Sequence, residues 1–367
     1  MKKSNYYSLE KILLKNAIYN IIFGERSNGK TFSVQEYILK GYIEDDSQGA
    51  IIRRWDEDFR GKRGRETFSG IVNAKVVEKL TKGQWTHIAY KSHCWYLAKY
   101  DNDLDKEICD IKPFCYAFSL NAVEHDKSTS YPNIKNILFD EFLTRSVYLK
   151  DEFIIFQNVL STIIRDREDV KIFMCGNTVN QYSPYFSEMG LTNITKMEKG
   201  DIHLYKYGDS DLTVAVEYSD GIKGGKKSDK YFAFNNQKLK MITNGGWELE
   251  LYPHLPYEYK RENIVNRFYI LFENQMLEGE FIKVNKVMFI YIHRKTTPIK
   301  NPEKYMIYGQ TASPHLNINR KLKPINLISR QIISYFKYDK VFYQDNTIGE
   351  IVRNYFNWSA NAGEVKI

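Results

Sequence analysis

Gly24, Glu25, Arg26, Ser27, Asn28, Gly29, Lys30 and Thr31 spell G-x-x-x-x-G-K-[ST], a pattern in which every fixed position has a chemical reason. The glycines let the backbone curl until several N–H groups point at one anion. Lys30 has the reach and charge to meet β- and γ-phosphates, and the Thr31 hydroxyl is placed to hold Mg²⁺. Ser27, Asn28 and Arg26 complete the candidate nucleotide-binding set, Arg26 reading almost as readily as a surface arginine. A second set closes the apolar run 136–141, which ends in Asp140 and Glu141. The first carboxylate can hold the water shell of Mg²⁺ and the second can draw a proton from an attacking water. The pair specifies hydrolysis, because a kinase has no use for a water-activating acid there. Asn177, ending a later apolar run, is a candidate γ-phosphate sensor or water orienter, with a turn-forming asparagine as the bland alternative. From spacing alone, Arg165 reads as a solvated cation at a helix end, with Arg167 behind it.

These residues need a scaffold that brings strand ends together. The apolar run 17–23 leads directly into the glycine loop, and residues 32–42 carry Val34, Tyr37, Ile38 and Tyr42 at helical spacing directly after it. From 17 to 177, strand-like and helix-like segments alternate, the pattern of an α/β domain with a mainly parallel sheet. Residues 85–100 read as an inserted hairpin, 113–120 and 170–175 as strands, and 151–164 as a helix with one apolar face. After about 200 the runs become short and are separated by Gly, Lys and Asn, and 221–228 reads as an exposed loop or hinge. The expected division is a P-loop domain over 1–200, a small linker domain over 201–262, and an α+β domain over 263–367 with three β-like runs, a fourth at 305–308 and helical patterns near 327–337 and 347–357.

With 367 residues the chain can bury a sizeable core. The formal net charge of +8, most of it beyond residue 200, has the sign expected of a partner for polyanions. Cys94, Cys109, Cys115 and Cys175 lack the spacing of a metal or disulfide framework. No run reaches membrane-spanning length and no signal peptide is evident, so a cytoplasmic location is expected. Arg60, Lys62, Arg63 and Arg65 form the densest basic segment, and its glycines suggest a flexible loop able to follow a phosphate backbone by counterion release. The alternative is a solvated loop paired with Asp56, Glu57, Asp58 and Glu66. Arg145 and Lys150 are a second candidate DNA-facing pair; Lys223, Lys226, Lys227 and Lys230 read more as linker.

Residues 23–31, 51–55, 131–133, 138–142, 164–168 and 176–177 together resemble, in order and spacing, the genome-packaging ATPases of phi29-like bacteriophages, in the additional-strand, catalytic-glutamate (ASCE) branch of P-loop proteins. The resemblance implies ATP and Mg²⁺ as cofactors, and a homo-oligomeric ring, pentameric in this family, that sits in the host cytoplasm and transiently at the portal vertex. Double-stranded DNA and the procapsid portal or connector are the implied partners, with packaging RNA as an optional third and no membrane. Arg165 then matches the arginine that reaches into a neighbouring subunit's site. The C-terminal domain would be ribonuclease H-like and vestigial as a nuclease, since Glu273, Asp345 and Glu350 look too scattered for two-metal chemistry. Two rival readings stand beside the motor: a terminase-type enzyme with an active nuclease, and a nucleotide-gated protein that binds DNA and portal without moving anything. The stretch 56–70 departs from the family pattern in length and charge.

Overall fold

The computed structural model describes residues 7–125, 129–144, 148–179, 183–220, 251–255, 258–310, 318–319 and 321–361. The chain divides into two compact units, Met1–Glu248 and Leu249–Ile367.

In the first unit, ten described strands form one sheet: β1 Tyr19–Gly24, β2 Gln48–Arg53, β3 His87–Lys91, β4 Cys94–Asp101, β5 Lys106–Cys109, β6 Cys115–Ser119, β7 Ile134–Asp140, β8 Lys171–Asn177, β9 Ile202–Lys206 and β10 Thr213–Tyr218. Their order is β3-β4-β6-β2-β7-β8-β1-β10-β9, with β5 paired to β4. From β6 to β10 neighbours run parallel, and the hairpin strand β4 and the edge strand β9 are antiparallel to theirs. Parallel strands covered on both faces must be apolar throughout, which is why β1, β7 and β8 read as unbroken runs. Alternate residues then divide between two cores. Ile21, Phe23, Ile137, Phe139, Ile172 and Met174 meet Phe156, Val159, Leu160 and Ile163 of helix α3, Glu152–Ile164. Ile22, Ile51, Leu138 and Phe173 meet Val34, Ile38 and Leu39 of helix α1, Lys30–Asp45. Phe139 stacks on Phe156 with ring centroids 4.9 Å apart.

Two expectations change. The sheet does not end near residue 200. β10 pairs with β1 from Tyr19 opposite Val214 to Phe23 opposite Tyr218. β1 is an inner strand; β8 satisfies one of its edges and β10 the other, so 202–218 belongs with the P-loop sheet. At the far end of the expected linker domain, Pro253 accepts the Tyr343 N–H at 2.9 Å and His254 bridges Tyr343, so 251–255 belongs with the second unit. The hinge proposed at 221–228, with its lysine cluster, lies outside the described residues, as does Arg145. Second, the basic segment is folded. A turn of 3-10 helix, Asp56–Phe59, precedes a short helix α2, Lys62–Glu66, and Gly64 is buried in it. The Gly64 carbonyl accepts the Trp95 indole N–H at 2.8 Å, and a Cβ at that position would collide with the Tyr90 ring and the Phe59 carbonyl. This glycine serves close packing against the hairpin, not flexibility.

The second unit is α+β. Its described sheet has the order β15-β14-β11-β12-β13-β16, where β11 is Ile264–Phe272, β12 Gln275–Val284, β13 Val287–Arg294, β14 Met306–Gly309, β15 Ile318–Asn319 and β16 Val341–Tyr343. An antiparallel meander, β11 to β13, is extended on one edge by β14 and β15, each parallel to its neighbour, as expected of a ribonuclease H-like sheet. Helix α4, Pro184–Glu188, belongs to the first unit. In the second, helix α5, Leu327–Lys337, packs Tyr335 on Phe281, and helix α6, Asn346–Asn361, packs Tyr355 and Trp358 on Phe272.

A fragment ending at residue 200 is expected to lose cooperative thermal unfolding, because β1 loses its β10 edge, whereas one ending at Glu248 is expected to melt in a single transition. Circular dichroism melts of the two fragments check this; a cooperative melt from the shorter one would make β10 an accessory strand.

Candidate nucleotide site

The carboxyl ends of β1, β7 and β8 meet at one edge of the sheet, where open α/β sheets bind ligands. β1 ends at Gly24, the loop turns, and α1 begins at Lys30 with Gly29 in the left-handed region at φ 96°. At Gly24, any Cβ would strike the Ser219 hydroxyl, which donates to the Phe23 carbonyl at 3.0 Å and accepts from Asn28 Nδ2 at 2.9 Å. The loop is therefore braced from behind by the end of β10. Tyr7 adds a second brace: its N–H donates to the Asn28 carbonyl at 2.9 Å and its hydroxyl to Glu217 Oε2 at 2.6 Å. Burial pushes the Glu217 carboxyl above its usual range.

Lys30 is almost fully buried, and its ammonium donates to the Glu25 carbonyl at 2.6 Å, to Asn28 Oδ1 at 3.1 Å and to Asn177 Oδ1 at 3.5 Å. The Thr31 hydroxyl donates to Asp140 Oδ1 at 2.8 Å, and the other oxygen of Asp140 accepts Arg53 Nη2 at 2.8 Å. Burial alone would lower the pKa of Arg53, but the Asp140 carboxylate more than offsets it and holds the guanidinium above its ordinary value. Glu141 follows with an exposed side chain and a left-handed backbone at φ 60°. A cleft of about 230 Å³ is lined by residues 27–32, 140–141 and 175–177. It gathers Ser27, Asn28, Gly29, Lys30, Thr31, Asp140, Glu141 and Asn177; Gly24 forms the turn beneath, and Arg26 is exposed outside the lining. This donor set fits a Mg²⁺–triphosphate. An ammonium that donates to carbonyl and amide oxygens lines the cleft, and a hydroxyl and a carboxylate stand in contact beside it.

Other expected site residues lie elsewhere. Arg165 is exposed at the end of α3, with φ 52°, and donates to the Thr129 carbonyl at 2.9 Å. Arg167 donates to Ile163, Ile164, Pro132 and Ile134 carbonyls at 2.7 to 3.3 Å, so it caps α3 and ties it to the start of β7. Arg167 is thus occupied structurally. Arg165 is not among the residues that line the cleft of its own chain, and the two ends of β7 are about 20 Å apart by strand rise. Arg60 pairs with Asp56 at 2.7 Å and Glu57 at 3.8 Å, and Arg63 donates to the Glu57 carbonyl at 3.4 Å, while Lys62, Arg65 and Lys150 are exposed. Sequence reading missed Arg53 and Ser219. The signal for Arg53 was an arginine pair ending a buried strand, which demands acceptors.

In the second unit, Asp345 accepts the Ile348 N–H at 2.9 Å at the start of α6, Glu350 accepts the Tyr252 hydroxyl at 3.3 Å, and Glu273 pairs with Gln310 at 3.3 Å. These acids serve local structure and do not converge. The carboxylates that do gather are Glu278 and Glu280, buried two residues apart on β12. Arg267 Nε lies 2.9 Å from Glu278 and 3.2 Å from Glu280, Lys295 lies 3.0 Å from Glu278, and His293 lies 3.7 Å from Glu280. Burial would lower the His293 pKa, yet Glu280 more than offsets it and raises it above the usual value. Among the described residues no group of three or more His, Cys, Asp or Glu side chains is arranged to hold a metal. No helix among them is long and apolar enough to cross a membrane.

The profile of the family described as podovirus DNA encapsidation protein (Gp16) matches residues 1–220. The DNA packaging proteins of Bacillus phages PZA and phi29 are each 26% identical to the chain over 190 residues, 51% of this chain and 50% of theirs. The chain thus spans about half the length of the curated relatives it matches. Among solved structures, the phi-28 gp11 DNA packaging motor covers 100% of both chains with a TM-score of 0.57 at 16% identity. The bacteriophage phi29 viral genome packaging motor assembly gives 0.58 at 19% identity, over 97% of this chain and 100% of the other. At these identities the likeness is one of fold.

Lys30→Ala is expected to abolish binding of a fluorescent ATP analogue, because no other described side chain supplies an ammonium to the cleft. Glu141→Gln is expected to retain binding while turnover falls on the order of a hundredfold or more. Titration and phosphate-release assays separate the two, and normal turnover in Glu141→Gln would move the water-activating role to another group.

Proposed function

The chain belongs to the podovirus DNA encapsidation protein (Gp16) family, and on that premise we propose that it hydrolyses ATP to drive double-stranded DNA into a procapsid through the portal vertex. The observation that carries this reading is the assembly of Lys30, Thr31, Asp140 and Glu141 around one cleft at the carboxyl edge of a parallel sheet. In this reading Lys30 exchanges its present oxygens for phosphate oxygens, Thr31 and Asp140 hold Mg²⁺ and its water, and Asn177 orients the γ-phosphate or the attacking water. Glu141 accepts the proton of that water. When bound, the metal, held by Thr31 and Asp140, would supply charge neutralisation for the phosphates.

The position of Arg165 supports a role between subunits. A guanidinium exposed at the edge of the fold, and outside the lining of its own cleft, is useful to catalysis only if a neighbour presents a γ-phosphate to it. A homo-oligomeric ring, pentameric as in the family it resembles, supplies that neighbour. Double-stranded DNA and the portal are the proposed partners, packaging RNA an optional one, and the host cytoplasm with the portal vertex the proposed location. For DNA, Lys62 and Arg65 on α2 and Lys150 are the exposed candidates, with Arg60 and Arg63 partly engaged by Asp56 and Glu57. Glu278 and Glu280, the two acids that gather in the second unit, are held by cations, which favours DNA or portal binding there over cleavage.

Mixing Arg165→Ala subunits with Glu141→Gln subunits is expected to restore hydrolysis that neither has alone, since some interfaces join an intact Glu141 to an intact Arg165. Absence of recovery at every ratio, with ring assembly verified, would remove Arg165 from catalysis in trans. Neutralising Arg60, Lys62, Arg63 and Arg65 together is expected to weaken DNA binding for all sequences alike and to flatten its salt dependence by roughly one unit of slope for each phosphate that is no longer neutralised. Basal ATPase should persist; unchanged affinity and slope would return the segment to a solvated surface.

A further inference from the structure

We infer that Arg54, clamped by Glu152, is the positioning residue that keeps Glu141 aimed at the cleft and ties that aim to α3; this rests on the reading of Glu141 as the water-activating acid. Arg53 and Arg54 leave the end of β2 in different directions. Arg53 meets the Asp140 carboxylate, whereas Arg54 is buried behind Glu141 at 7% exposure, against a Glu152 at 2%. The guanidinium and carboxylate meet as a fork, Nε to Oε2 at 2.8 Å and Nη2 to Oε1 at 2.8 Å. Two further N–H groups go to backbone carbonyls. Nη2 donates to the Phe142 carbonyl at 2.9 Å and Nη1 to the Glu141 carbonyl at 3.3 Å, with the Tyr148 ring 5.1 Å from Cζ. Glu152 is saturated as well, accepting the Leu149 N–H at 2.7 Å and the Tyr185 hydroxyl at 2.8 Å.

A buried ion pair is seldom more stabilising than apolar residues of the same volume, so stability alone does not explain this one. Its particular feature is which carbonyls it holds. Glu141 has a left-handed backbone without being glycine, a conformation that persists only where its surroundings over-determine it. Arg54 fixes the carbonyl on the far side of that residue and the next one along, and the Phe142 N–H is fixed in turn by the Cys175 carbonyl at 3.3 Å. Rotating about the N–Cα bond of Glu141 toward a negative φ would break these bonds together and swing its side chain. A plain helix cap would need only Glu152 in the first turn of α3; it would not need an arginine bound to two carbonyls of the catalytic turn. Because Glu152 opens α3 and Arg165 closes it, the same pair anchors the helix that bears the proposed finger.

The test compares full-length wild type, Arg54→Met/Glu152→Leu and Arg54→Lys by melting temperature, affinity for a fluorescent ATP analogue and steady-state ATPase. The double substitution leaves no unpaired buried charge but strands the Tyr185 hydroxyl, the Leu149 N–H and the two carbonyls, so it is expected to stay folded with a lowered melting temperature. Arg54→Lys keeps a charge opposite Glu152, but one ammonium cannot span the carboxylate and both carbonyls. In each, analogue affinity is expected to stay within about threefold while kcat falls by tenfold to on the order of a hundredfold, the scale of a misplaced catalytic group. Wild-type kcat in either folded variant overturns the inference, since a purely structural pair would leave activity intact in any variant that folds. A wild type that binds ATP without hydrolysing it would instead remove the reading of Glu141 beneath it.

Discussion

Parallel pairing of β8 with β1 on one side and β7 on the other is the constraint on which the rest of the first unit depends. The register sets Gly24 opposite Asn177 and Asp140 opposite Cys175, so three strand ends arrive level at one edge. With neighbouring strands about 4.8 Å apart, the backbones of β1 and β7 end roughly 10 Å from each other, a span that the Thr31 and Asp140 side chains close. A slip of one residue in β7 would turn Asp140 to the other face of the sheet and carry its hydrophobic set out of the core. The buried alternation of Ile137 and Phe139 against α3, with Leu138 against α1, makes that slip costly. The chemistry is located by packing before any ligand arrives.

Around that edge, charge is arranged in two layers. Nearest the cleft, the Thr31–Asp140–Arg53 contact balances the carboxylate with a cation the chain itself supplies. Behind it, Arg54 and Glu152 form a closed pair whose spare donors go to backbone. The loop is held by a third set of neutral contacts through Asn28 and Ser219, at the end of β10. Since β10 is the last described strand before the chain passes to the second unit, the nucleotide loop and that exit share hydrogen bonds.

Much of this was legible because motif and period agreed. The glycine loop, the Asp140–Glu141 strand end and helices α1 and α3 each combine a composition signal with a pattern of the right spacing, so residue types alone placed eight cleft residues together. What escaped depended on partners distant in sequence. The strand 213–218 looks like linker until β1 needs a second edge. Gly64 looks like flexibility until Trp95 and Tyr90 are packed on it. Glu278 and Glu280 read as an ordinary alternating strand; only the sheet brings Arg267 and Lys295 beside them. Arg165 and Arg167 are alike in sequence, and only the carbonyls around Arg167 tell a cap from an exposed cation.

The Arg53–Asp140 contact also bears on how the cleft empties. A carboxylate left bare would hold any passing cation. Here a guanidinium that the chain itself supplies stands 2.8 Å from one of the carboxylate oxygens. Any cation drawn to Asp140 competes with a tethered rival for that oxygen. The speed of letting go is thereby set by the same contact as the strength of the grip.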